Sequence, residues 1–282
     1  MMSWHALEMA GARAMAPRVP FFVGDNEVGS VAQAHLPALR AFADLLKVQA
    51  DGVLLSVPEP DRDAAFAQLN AALRAQGLIK AWRDESYAVT SLASGVVLAR
   101  IERASSRFWG TLTFGAHATG YVVDGAGRAT HLWIAKRSPT KATDPGLFDN
   151  LIGGGVPFGQ TPLQTLVREG WEEAGLTRAQ MSAARAGRVV RLARDIPEGF
   201  QLELLHCFDL PLRSTEIPSN QDGEVAGFTL MPVAPALALA ASESMTVDAA
   251  LATLDFALRH GLLAPAVQAE LAVSMAALWV KS

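Results

Sequence analysis

Glu169, Glu172 and Glu173 stand at a spacing that a helix would turn into one cluster. At about 100° per residue the three fall within an arc of ~100°. The helix is announced by Thr161-Pro162-Leu163-Gln164, in which the Thr161 hydroxyl can accept the Gln164 backbone N–H and the Gln164 side chain can reach back. Pro162 takes the tolerant first helical position, and Gly175 stands where a C-terminal cap belongs. Leu163, Leu166, Val167, Gly170, Trp171 and Ala174 recur at helical spacing, a stripe expected to face a sheet and to leave the carboxylates on the opposite side, facing solvent. Like charges at such spacing repel by roughly a few tenths of a kcal/mol per pair, so the cluster calls for open water or for a cation. A solvated acidic face is one reading, and hard oxygen ligands for Mg²⁺ are the other. Just ahead, Gly153-Gly154-Gly155 forms a loop whose backbone can approach a phosphate or a hydrated cation closely.

The elements that must position this cluster can be read from periodicity. Strand patterns at Thr119–Val123 and Thr130–Ala135 flank an Asp-Gly-Ala-Gly turn, and further strands are expected at Arg188–Ala193, Phe200–Leu210 and Val225–Met231. Val247–His260 and Ala264–Trp279 read as helices. In the first part of the chain, Val19–Val23 and Val28–Val31 read as a hairpin over Gly24-Asp25-Asn26. Leu36–Leu46 and Asp61–Gln76 read as packing helices, and Phe108–His117 as the strand that opens a new domain near Thr111. The expected division is an α+β domain over 1–110, a catalytic domain over 111–245 and C-terminal helices over 246–282, since 282 residues exceed the usual size of one domain.

Half of the residues are apolar and 18% are charged, which a packed globular chain shows and a disordered one does not. A net charge of −4 offers no positive field for nucleic acid. The single cysteine, Cys207, allows neither a disulfide framework nor a thiolate metal site. The six histidines lack close ligand spacing, so zinc is not expected. The apolar stretch from Phe228 to Ala241 carries Pro232 and Pro235 and is too short for a membrane span; without a leader pattern, a cytoplasmic location is the default expectation.

The glycines and glutamates together resemble the box of the Nudix family. That pattern is met by Gly154, Arg168, Glu169, Glu172, Glu173, Gly175 and Leu176. Two positions depart from it: Gln160 stands where the family has a glutamate, and Gly170 where it has an aliphatic residue. Gln160 cannot be an anionic ligand, while Gly170 costs up to about 1 kcal/mol of helix propensity but permits close helix-to-sheet approach. Arg137-Ser138, Lys141-Ala142-Thr143, Asp149-Asn150, Asp222-Gly223-Glu224-Val225 and Asp255-Phe256 to Arg259-His260-Gly261 resemble a branch with an extra N-terminal domain, often labelled thiamin pyrophosphokinase-like. No GxxxxGK[ST] loop accompanies it, so the label does not imply a kinase.

The resemblance implies an αβα Nudix sandwich with a mixed sheet, joined to a smaller N-terminal α+β domain. It implies Mg²⁺, with Mn²⁺ as a substitute, on Glu169, Glu172 and Glu173, and hydrolysis of a small-molecule diphosphate. Thiamine diphosphate and its oxo or oxy forms are the first expectation; a nucleoside diphosphate sugar, a dinucleotide, coenzyme A or a non-catalytic metabolite-binding module are the alternatives. Glu169 is the first choice as proton acceptor, and Arg168 would orient a glutamate or carbonyl or form a plain surface ion pair. Gly154, Gly155, Arg137, Lys141 and Glu224 are the expected substrate-binding positions, against solvated strand-end charges and an ordinary turn. Trp82, Trp109 and Trp133 are candidates for stacking on a flat substrate, with core packing the stronger reading. Neither nucleic acid nor membrane is expected as a partner, and a homodimer stays open.

Overall fold

A computed structural model describes residues 4–11 and 16–280. Its first sheet runs β2-β1-β4-β3, from β1 (Arg18–Val23), β2 (Asn26–Ala32), β3 (Leu46–Val48) and β4 (Val53–Leu55). The hairpin β1–β2 is where the alternation placed it. Ahead of it lies α1 (His5–Ala10), and between β2 and β3 a short α2 (Leu36–Leu39) flanked by two 3₁₀ turns. The helix expected through Leu46 therefore ends early, because Leu46 pairs with Leu55 and is drawn into the sheet. Next come α3 (Arg62–Ala75), the hairpin β5 (Ser86–Thr90) and β6 (Val97–Glu102), and α4 (Ser105–Trp109). Phe108 and Trp109 are thus helical rather than the start of a strand, and Gly110 ends α4 in the left-handed conformation. Trp109 stacks on Phe21 at 4.6 Å and donates to Asn70 at 2.8 Å, so it belongs to the core of this part.

The second sheet is built from β7 (Leu112–Val123), β8 (Ala129–Arg137), β9 (Phe148–Asp149), β10 (Ile152–Gly155), β11 (Arg185–Ile196), β12 (Gly199–Pro211) and β13 (Val225–Pro232). Its main path is β11-β12-β7-β8-β13, with β12 parallel to β7 and the other neighbours antiparallel. Strands β7 and β8 pair only from Gly120 to Val123 on β7, then part. Into the fork fit β10, against residues 115–118 of β7, and β9, against β8. The fork holds the glycine loop at the open end of the sheet.

Two helical layers cover this sheet. On one face α5 (Pro162–Ala174) and α6 (Arg178–Met181) cover Ala116, Ala118, Leu151 and Ile152. The other face carries α7 (Val233–Ala240), α8 (Val247–Arg259) and α9 (Pro265–Ala276), together with α1. The stretch Phe228–Ala241 is therefore a strand that turns at Pro232 into α7. Among the described residues no helix is long and apolar enough to cross a membrane. The architecture is a mixed-sheet αβα sandwich with a smaller α+β part before it.

Candidate active site

Helix α5 forms as its capping box predicts, with Gln164 N–H donating to Thr161 at 3.2 Å and Thr161 N–H to Gln164 at 2.8 Å. Its rotation differs from the expectation. Leu163 and Trp171 are 48% and 55% exposed, whereas Glu173 is only 5% exposed, so the buried face turns toward the glutamates. Two charge-assisted bonds offset the cost of burying that carboxylate: the Gly153 N–H donates to it at 2.9 Å and the Lys141 ammonium at 3.0 Å. Gly170 packs where a Cβ would meet Met181 and Ile152, which is the close approach its lack of a side chain permits.

The three glycines are fixed by what lies against them. In β10 a Cβ on Gly154 would strike the Glu169 carboxylate, and one on Gly155 the Tyr87 hydroxyl. Lys141 bridges Glu173 and Glu224, at 3.0 and 2.6 Å. Arg168 lies between Glu169 and Glu172, at 2.7 and 2.6 Å, and so orients both. Burial pushes Glu169 up to about 7 against the pull of Arg168, and Glu173 up to about 7 against that of Lys141. Glu224 is also partly desolvated, but its bond to Lys141 outweighs this and holds it below the usual value.

A cavity of about 770 Å³ opens over these groups and is lined by Gly153, Gly154, Gly155, Glu169, Glu172, Lys141 and Glu224. Arg137 reaches its wall too, but its guanidinium is taken up by Asp149 at 2.6 Å and by the carbonyls of Thr143 and Asp144. It shapes the loop that carries Lys141 rather than presenting a free charge. Gln160 is not among the lining residues and accepts from the Thr165 hydroxyl at 3.0 Å. Losing one neutral hydrogen bond costs about 1 kcal/mol, so Gln160→Ala should lower the hydrolysis rate by less than about tenfold. A loss in kcat as large as that from removing a helix glutamate would show that Gln160 takes part directly.

The opposite wall was not foreseen from the sequence. It comes from the N-terminal part as Arg83, Tyr87, Arg103 and Arg107. Arg103 pairs with Glu85 at 2.8 Å, and Arg107 crosses to Glu203 on β12 at 2.8 Å. No spacing rule links these residues to the glycine loop; only Tyr87, on an alternating strand, carried any local signal. The tryptophans do not line the cavity: Trp133 is buried, and Trp82 is engaged with Arg74 and Asp84.

Carboxylates and a glycine strand gathered at the fork of a mixed sheet suit the handling of a phosphate and a cation, and comparison with known proteins gives the family. Residues 113–249 match the NUDIX domain, and residues 5–113 match a domain of unknown function, DUF4743. Two Arabidopsis thaliana proteins, Nudix hydrolase 20, chloroplastic, and Nudix hydrolase 24, chloroplastic, are 33% and 34% identical over 269 and 263 residues; each alignment spans 90% of this chain and 71% of the relative. A crystal structure from Deinococcus radiodurans superposes with a TM-score of 0.45 at 22% identity, over 60% of this chain and 97% of its own. The chain belongs to the Nudix hydrolase family.

Nudix hydrolases generally use a divalent metal, and the donors here suit one: carboxylate oxygens are hard ligands, and Gly154 leaves room for the Glu169 carboxylate against the strand. Among the described residues no three acidic, histidine or cysteine side chains already converge as a ligand set. Arg168 pairs with one oxygen of Glu169 and one of Glu172, which leaves the second oxygen of each for a cation, while Lys141 holds Glu173.

Proposed function

We propose that this protein is a Mg²⁺-dependent hydrolase of a small-molecule diphosphate, with thiamine diphosphate or its oxo or oxy forms as substrate and a monophosphate and phosphate as products. The observation that supports the reading most is one cavity in which Glu169, Glu172 and the glycine strand meet a second, polar wall from the N-terminal part. In this reading residues 1–110 form a recognition domain, 111–245 the catalytic domain and 246–282 the supporting helices.

Glu169, Glu172 and Glu173 would hold Mg²⁺, with Mn²⁺ as a substitute; when bound, the ion neutralises diphosphate charge and acidifies water. Glu169, whose carboxylate lies against Gly154 of the glycine strand, serves as proton acceptor. Arg168 keeps it and Glu172 in register. Gly154 and Gly155 let the substrate approach the backbone, Lys141 supplies a positive charge beside the diphosphate, and Glu224 steers Lys141. Arg137 acts at one remove, by holding the 143–144 backbone.

The test is a phosphate-release screen of purified protein with Mg²⁺ against thiamine diphosphate, its oxo and oxy analogues, nucleoside diphosphate sugars and dinucleotides. The highest kcat/KM is expected for the thiamine-type group. A clear preference for a nucleoside diphosphate derivative would replace that substrate assignment while leaving the hydrolase reading in place.

A further inference from the structure

The hairpin β5–β6 brings two groups of the N-terminal part against the glycine strand. Its docking is fixed by the Phe158 N–H, which donates to the Ser86 carbonyl at 2.7 Å. Tyr87, next along β5, is 4% exposed, and its hydroxyl abuts the place that a Cβ on Gly155 would take. Arg103 follows β6. Its N–H donates to the Glu85 carbonyl at 2.7 Å and its carbonyl accepts the Ser106 hydroxyl at 2.7 Å, so its backbone is held on both sides. Its Nη2 lies 3.3 Å from that same Cβ position, and its guanidinium carbon 5.6 Å from the centre of the Tyr87 ring. A hydroxyl and a guanidinium thus converge on the space that the third glycine leaves open.

Both groups line the cavity and keep donors in reserve. Arg103 gives Nη1 to Glu85 at 2.8 Å; among the described residues neither the rest of its guanidinium nor the Tyr87 hydroxyl makes a hydrogen bond. Burial raises the Tyr87 hydroxyl above its ordinary value, so it stays protonated and able to donate. The other cations of this region are engaged: Arg107 with Glu203 and Thr113, Lys141 with Glu173 and Glu224, Arg168 with Glu169 and Glu172. Arg83 stands 3.9 Å from Glu224, and Arg194 is turned to Gln201. The carboxylates that feel the Arg103 charge are Glu85, Glu169 and Glu224, and each already has a cation in Arg103 itself, Arg168 or Lys141. They still weigh against a bare anion, so a diphosphate arrives best as its Mg²⁺ complex.

We propose that the Tyr87 hydroxyl and the Arg103 guanidinium form a cradle for a phosphoryl oxygen of the substrate, so that the domain of unknown function supplies part of the grip on the diphosphate itself. The inference rests on reading the cavity as the diphosphate site. A planar guanidinium with free N–H groups suits phosphoryl oxygens, and a hydroxyl beside it adds a second direction of donation. A buried hydroxyl without a partner is costly, and a phosphoryl oxygen provides the partner. Tyr87 lies on a strand and Arg103 is held through its own backbone, so the two donors are set before the anion enters.

Titration calorimetry on the full chain tests this with the Mg²⁺ complex of methylenediphosphonate, a diphosphate analogue whose bridging carbon resists hydrolysis. Tyr87→Phe and Arg103→Lys should each weaken its binding about tenfold. Thermal melting separates this from packing: Tyr87→Phe removes a hydroxyl that bonds to nothing in the free protein, so its Tm should equal or exceed that of the wild type. Arg103→Lys keeps a cation for Glu85 and should also stay folded. An affinity indifferent to Tyr87→Phe, a Tm lowered by that substitution, or no detectable binding of the probe at millimolar concentration would each overturn the inference. Phosphate release from thiamine diphosphate with Mg²⁺, run in parallel, separates the two readings. Binding of methylenediphosphonate that depends on Tyr87 and Arg103, without hydrolysis of thiamine diphosphate, keeps the cradle and removes the substrate assignment; hydrolysis with a kcat/KM indifferent to both substitutions does the reverse.

Discussion

Glu173→Gln should lower kcat for Mg²⁺-dependent diphosphate hydrolysis by about a hundredfold or more, while the protein stays folded. The substitution keeps the shape and an acceptor for the Gly153 N–H or Lys141, but removes a charge from the proposed cation site. Stability has its own signature. Burial raises the Glu173 carboxyl from 4.5 to about 7, so the folded chain holds this proton more tightly than the unfolded one. Its contribution is fully present below about 4.5 and is lost as pH rises through about 7. In metal-free buffer the wild type should therefore lose stability across that window, and the glutamine variant should show a shallower decline. Urea titrations at several pH values, with and without Mg²⁺, read the stability, and steady-state kinetics reads the rate. Near-wild-type turnover by Glu173→Gln would remove this residue from the catalytic assignment.

The second large effect lies away from the cavity. Arg259→Ala should cost about 3–5 kcal/mol of folding stability, because it strips the cation from two buried carboxylates. Arg259 donates to Asp209 at 2.6 Å and to Asp255 at 2.8 Å, and the Asp255 side chain is 0% exposed. Arg188 reaches Asp255 only at 3.5 Å and is largely exposed, so it is a weak substitute. His260 also meets Asp209, at 2.9 Å. The stretch from Asp255 to His260 thus fastens α8 to β11 and β12 and has a structural rather than a chemical task. Chemical denaturation of Arg259→Ala measures the cost; a loss below about 1 kcal/mol would mean that the carboxylates find other partners or take up protons.

What the sequence made legible was set by the range of the interactions involved. Helix α5 and the succession of strands after Thr111 follow from local rules, caps and alternation, and they stand where those rules put them, whereas Gly153–Gly155, read as a loop, is drawn into β10 by its pairing with β7. The face of α5 was misjudged because an apolar stripe assumes that carboxylates avoid the interior. Glu173 goes inside because Lys141, 32 residues earlier, accompanies it. The same limit hid Tyr87, Arg103 and Arg107: their proximity to Gly155 and Glu203 is created by the way the first part packs on the second. Short elements such as α2 and α4 were lost for a related reason, since a single sheet pairing at Leu46 or a left-handed Gly110 decides them.

Helix α1 carries a consequence for how the chain is made. Trp4, Ala6 and Ala10 are buried in the same cluster as Ala249, Leu251 and Phe256 of α8 and Leu271 and Met275 of α9, and the His5 N–H bonds to the Ala241 carbonyl at 3.3 Å. Residues of α1 therefore wait for partners that are synthesised after the whole of the second sheet. The sheet β2-β1-β4-β3 and α3 can close among themselves once residues 18–75 have emerged. The layer behind the second sheet has no such early route, because α8 and α9 must be synthesised before α1 has a surface to cover. Until then the indole of Trp4 and the apolar side of β12 are open to water together, and the nascent chain is at its stickiest just before α8 and α9 emerge.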